Sequence, residues 1–169
     1  QEVPARGLGV RRDPRTSAQA GGLGPGVGVK LDLRLAERMT RAACQAAQAE
    51  RCLVSAAVVD AGGHLIAFRR MDGAEFAGAT IAVDKAYTSA GNRVATLDLR
   101  DLVAPGRDLT GYYAASGGRF IAFGGGVPLW YDGLVIGAVG VSGASGEQDH
   151  AFATAGAEVW VEGGGSLDG

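Results

Sequence analysis

No stretch of this chain is apolar for long enough to cross a bilayer, although hydrophobic residues make up 47% of it. Cysteine and histidine are scarce, with two of each. Cys44 lies inside an expected helix and Cys52 at its end, about 12 Å apart at 1.5 Å of rise per residue, so the two should not bond to each other. With only His64 and His150 beside them, no zinc-ligand spacing occurs and no metal site is expected. A basic stripe with interleaved aromatics is missing too. The formal net charge is -2, and residues 31–169 alone carry eleven basic and sixteen acidic side chains. That balance makes a poor surface for phosphate backbones, and nucleic acid is not an expected partner. Neither a dinucleotide fingerprint nor a P-loop is present, so no nucleotide cofactor is expected. Ser142 lacks the G-x-S-x-G setting of a nucleophile elbow. No secretory leader pattern is visible, which favours a cytoplasmic location, and no membrane partner is expected.

What is present fits one domain with a real core, since 169 residues are too few for two ordinary ones. Residues 1–28 hold three prolines and many glycines without apolar periodicity, and read as an extended or disordered arm. The folded domain is placed at 29–163, with a flexible tail at 164–169. Asp32 can cap a helix with an inward stripe of Leu35, Met39, Ala42, Ala43, Ala46 and Ala49. Val54 to Asp60 and His64 to Arg70 read as two strands joined through Gly62-Gly63, with Ala57 opposite Phe68 and Val59 opposite Ile66. A second helix runs from about Glu75 to Asn92 on the spacing Phe76, Thr80, Val83, Tyr87, Ala90, and Gly91 or Asn92 can end it. Residues 97–118 suit a loop with one or two helical turns, and Arg119 to Phe123 a short strand.

The most informative stretch is 124–143. Asp132-Gly133 between two apolar runs is a type I′ hairpin signature, which puts Leu129 opposite Ile136, Pro128 opposite Gly137 and Val127 opposite Ala138. Glycines at 137, 140 and 143 leave the returning strand bare enough for another backbone or a flat ligand to approach. Ser145 with Gln148 makes a capping box for a last helix with the stripe Phe152, Ala155, Val159. The element order is that of an α+β fold with a mostly antiparallel sheet.

Several motifs in register, Val58-Val59-Asp60-Ala61-Gly62-Gly63-His64, Arg70-Met71-Asp72-Gly73-Ala74, Lys85-Ala86, Gly125-Gly126-Val127-Pro128, Gly137-Ala138-Val139-Gly140-Val141-Ser142-Gly143 and Gln148-Asp149, resemble the GlcG/HbpS-like proteins over roughly residues 31 to 160. The C-terminal domain of the corrinoid-linked PduO protein is similar too. The resemblance implies a profilin-like α/β/α sandwich with a sheet of about five strands, homo-oligomerisation and, in characterised relatives, haem binding.

Two functional readings follow. The first is a small-molecule binding protein for haem or a corrinoid, with His64, Arg70, Lys85, Gly125, Gly126 and Ser142 as its candidate binding set. Arg70 or Lys85 would hold carboxylate side chains. His64, His150, Met71 and several tyrosines are chemically possible axial ligands, and the choice stays open. The second reading is a cofactor-independent isomerase, lyase or cyclase acting on a small organic acid. There Lys85 and a carboxylate from Asp72 or Asp149 would move protons. A third, an assembly or sensory partner with a vestigial pocket, ranks behind both. The free amides at residues 137–146 also form a possible anion cradle.

Overall fold

The computed structural model describes residues 31–169, and the expected arm at 1–28 lies outside them. In chain order come α1 (Leu33–Ala49), β1 (Ser55–Asp60), β2 (Leu65–Arg70), α2 (Phe76–Asn92), a short 3-10 stretch at Tyr112–Gly118, β3 (Gly126–Tyr131), β4 (Leu134–Ser142) and α3 (Gly146–Val161). The strands make one antiparallel sheet in the order β2-β1-β4-β3. Side chains alternate between its faces. Ala56, Val58, Val139 and Val141 turn toward α1 and α3, whereas Val59 and Ala138 turn toward α2, so the sheet is sandwiched between helical layers.

Among the described residues the sheet has four strands, against the five or so that the resemblance implies. Residues 119–123 lie irregularly against α2, where the Ile121 amide donates to Thr88 Oγ1 at 2.9 Å, and make no ladder. On the outer side of β3 the Trp130 amide instead donates to the Ser166 carbonyl at 2.8 Å.

Both hairpins form, and both carry a bulge that the local pattern does not announce. Ala57 lies opposite Phe68 as expected, but Val59 lies opposite Leu65 because Ile66 is an extra residue. The Asp60 amide donates to the His64 carbonyl, which leaves three residues in that loop instead of two. In the second hairpin Tyr131 faces Leu134, then the register slips: Leu129 faces Gly137, Pro128 faces Ala138 and Val127 faces Val139. A bulge reverses which face each later side chain joins. Here it sends Val139 and Val141 to the larger core and leaves Ala138 and Gly140 toward α2.

That small-residue face explains how α2 sits. A Cβ on Gly140 would strike the Ala82 carbonyl and meet the Ala86 amide nitrogen at 2.6 Å, so helix and strand touch backbone to backbone. Only small side chains fit beneath, and the buried set is Gly78, Ala82, Lys85, Ala86, Thr88, Ser89 and Ala90. The expected stripe of Phe76, Thr80 and Val83 is turned largely outward. The helix ends at Asn92, as expected, and Arg93, at φ 58°, caps it in the left-handed conformation.

α1 starts as expected, with Asp32 Oδ1 accepting from the Leu35 amide at 2.8 Å. Its buried face centres on Ala36, Met39, Ala43 and Ala47, slightly rotated from the predicted stripe. α3 opens with the full Ser145/Gln148 capping box. Phe152 is buried there, joined by Ala153, Ala157 and Trp160, while Ala155 and Val159 are half-buried. Trp160 is fully buried and its Nε1 donates to the Trp130 carbonyl at 2.8 Å, so its polar edge is satisfied in the core.

Candidate functional site

At the Val141 end of β4, the two helical layers meet across the edge of the sheet through charge. Lys85, on the sheet side of α2, is 0% exposed and Asp149, in the first turn of α3, 2%. Lys85 Nζ donates to Asp149 Oδ2 at 2.7 Å and to the Val141 carbonyl at 2.9 Å. The Phe123 ring, 40% exposed, lies 4.7 Å from the amine and separates it from solvent. Gly125, at φ 128°, closes the remaining side, because a Cβ there would meet Lys85 Nζ at 2.7 Å. Burial pushes the Lys85 ammonium down from the usual lysine range and the Asp149 carboxyl up from the usual carboxylate range, and each charge partly restrains the shift of the other.

Asp149 also resolves the anion cradle. Its Oδ1 accepts from the Ala144 amide at 2.9 Å, so the free amides before α3 receive the chain's own carboxylate. The glycines of β4 are likewise used internally, with Gly140 against α2 and Gly143 against the backbone of Leu53 and Val54.

Of the residues singled out from the sequence, Lys85, Asp149 and Gly125 therefore meet. Gly126 flanks them, its amide donating to Thr96 Oγ1 at 2.8 Å, and Ser142 follows the Val141 carbonyl. Asp72 does not join this group. It is exposed, and with Arg70 lines a groove between α1 and the end of β2. The Arg70 Nε donates to the Ala74 carbonyl at 3.0 Å. His64 sits at the β1–β2 turn, at the opposite end of the strands from Val141, with its side chain 82% exposed and Nδ1 3.2 Å from Asp60 Oδ1. Amides of Gly62 and His64 also donate to that carboxylate and hold its pKa below the usual range.

A second concavity, of about 540 Å³, adjoins α3 on the other side of Asp149. Val127, Pro128 and Trp130 of β3 give it apolar wall, Arg93 a cation, and His150 a ring whose Nδ1 is buried without a hydrogen-bond partner among the described residues. Sequence reasoning did not find this groove, because Arg93, Trp130 and His150 come from three elements. One signal for the buried pair was in plain view: the chain has only two lysines, Lys30 and Lys85, against fourteen arginines.

Fold and site together define an α+β sandwich whose layers are joined by a buried ion pair at the head of the last helix. The family model described as "Haem degrading protein HbpS-like" matches residues 31–158, and the chain belongs to this HbpS-like family. It is 39% identical over 121 residues to the corrinoid adenosyltransferase PduO of Salmonella typhimurium, covering 72% of this chain and 36% of PduO, so it spans about a third of that relative's length. Among solved structures, the PduOC:heme complex superposes with a TM-score of 0.77 at 34% identity, covering 82% of this chain and 99% of that one. The HbpS crystal structure superposes with a TM-score of 0.71 at 30% identity, covering 93% and 98%.

Proposed function

We propose that the protein binds haem or a related tetrapyrrole, corrinoids included, in the groove beside α3. The observation that carries this reading is the buried Nδ1 of His150, without a partner among the described residues, within a concavity that offers apolar wall and the Arg93 guanidinium alongside the carboxylates of Asp98 and Asp168. A flat macrocycle with carboxylate side chains requires those three things: surface to stack on, a donor for its metal, and a cation for its acids. The volume of about 540 Å³ is in the range of small-molecule sites. When bound, the group would supply metal-centred ligand or redox chemistry. His150 would hold the metal, Trp130 and Pro128 would shield the ring from water, and Arg93 would pair with a carboxylate. The relative solved with haem adds support at 34% identity.

The buried dyad favours the alternative, a cofactor-independent acid–base enzyme, because burial lowers the Lys85 ammonium and raises the Asp149 carboxyl, the directions that suit a group taking a proton from, or returning one to, a carbon acid near neutral pH. A substrate would reach them only after Phe123 moved aside. One experiment separates the readings. Titration of the whole protein with haemin, and in parallel with cobalamin, should give a saturable Soret or corrin band shift at a fixed ratio to subunits. His150→Ala should weaken haem binding at least tenfold and move the Soret maximum. A flat titration, or an unchanged spectrum and affinity in the variant, would overturn the haem reading at this groove.

We further propose that copies of the chain associate through the face made by β2 and the outer side of α2. Leu65, Phe68, Thr80 and Val83 line a groove there, and Phe76, 83% exposed, lies one helical turn before Thr80 on α2.

A further inference from the structure

Between α1 and the end of β2, apart from both the ion pair and the His150 groove, lies a concavity of about 510 Å³ lined by three arginines, of which Arg69 shares the sheet face toward α1 with Ala56 and Arg70, the next strand position, turns to the other face. Arg41 comes from α1, and Arg69 and Arg70 from the last positions of β2. The helix brings Gln45 and Gln48 to the same groove at spacings of four and seven residues from Arg41, the positions that share one helix face. Asp72 closes the rim.

Among the described residues, none of these three arginines has a carboxylate within ion-pairing distance, while Arg38, Arg100 and Arg119 all do. Among the described residues, Asp72 on the rim is thus the one carboxylate of the groove, and it lies beyond ion-pairing distance of these arginines. An anion seated in the groove would form charge-assisted bonds with the guanidinium groups of Arg41 and Arg69. The remaining side chains narrow the anion's chemistry. Two carboxamides donate to oxygens, and the single carboxylate can only accept, which rejects a further negative group and welcomes a hydroxyl.

We infer that the groove between α1 and the end of β2 is a binding site for a small hydroxylated di- or tricarboxylate, held by Arg41 and Arg69 with Asp72 accepting from its hydroxyl. This site is independent of the tetrapyrrole groove. Its occupation neither needs nor blocks the site at His150.

Isothermal titration of the whole protein at physiological salt tests it, with citrate as probe. Tricarballylate, the same tricarboxylate without the hydroxyl, and inorganic phosphate serve as comparisons. Citrate should bind at one per subunit, tricarballylate several-fold more weakly, and phosphate more weakly still. Arg69→Gln and Arg41→Gln should each weaken citrate at least tenfold, and Arg69→Lys, which keeps charge but loses the fork, should fall between. Asp72→Asn should bring citrate and tricarballylate together. These side chains are exposed, so the variants should melt like the parent, which a circular dichroism scan confirms. Citrate binding that fails to saturate, that ignores the arginine substitutions, or that phosphate matches would each overturn the inference.

Discussion

An ammonium taken wholly out of water costs several kcal/mol unless its hydrogens find acceptors. Lys85 has two, Asp149 Oδ2 and the Val141 carbonyl, with the Phe123 ring beyond. Removing one member of such a pair should therefore be worse than removing both. Lys85→Met leaves a buried carboxylate whose remaining described partners are backbone amides, and should cost about 3–5 kcal/mol of stability. Lys85→Met combined with Asp149→Asn keeps an acceptor for the Ala144 amide without a buried charge, and should recover most of the loss. Urea unfolding of the two single variants and the double variant gives the coupling directly. Equal midpoints for Lys85→Met and the parent would show that the pair is not a structural strut. In the sequence both residues were legible as candidates, but their meeting was not. Asp149 lies 64 positions from Lys85, and nothing local favoured it over Asp72.

At the scale of elements, signals carried by the local backbone were readable and those depending on a neighbour were not. The Asp32 cap, the Ser145/Gln148 box and the two hairpins rest on adjacent residues. The two bulges do not, because Ile66 and Ile136 look like ordinary strand residues until their partners are known. The buried face of α2 was mistaken for the same reason: a stripe of large apolar residues normally marks the core side, but a strand bared at Gly140 demands small ones. This argument predicts opposite outcomes for two glycine substitutions. Gly140→Ala places a methyl against the Ala82 carbonyl and should cost about 3 kcal/mol or prevent folding. Gly91→Ala, near the end of α2 with nothing within 4 Å of the new carbon, should stabilise by about 0.5–1 kcal/mol through helix propensity and a less flexible unfolded chain. Thermal melts of both variants check the contrast. A Gly140→Ala protein as stable as the parent would show that helix and strand can separate without loss.

The same inversion of α2 shapes the whole molecule. Because its small residues face the sheet, its large ones join Phe68 and Leu65 of the edge strand on the outside. The Asp84–Arg119 pair, 2.9 Å apart, brings both signs of charge to that groove. A face with its own apolar centre and its own positive and negative groups is self-complementary, which is what a two-fold contact between identical subunits requires. Burying Phe76 and its neighbours against a second copy would also cover the edge strand β2, which among the described residues has no partner on its outer side. Light scattering coupled to gel filtration should therefore give a mass that is a multiple of the 17.1 kDa subunit. Phe76→Asp should reduce it to the monomer, because a carboxylate in that centre cannot be desolvated without a partner. Phe76 is exposed in the single subunit, so the variant should keep its secondary structure by circular dichroism. It should also keep its haem titration, since Arg93, Trp130 and His150 all belong to one chain. A monomeric parent, or a Phe76→Asp protein of unchanged mass, would overturn this assignment of the interface.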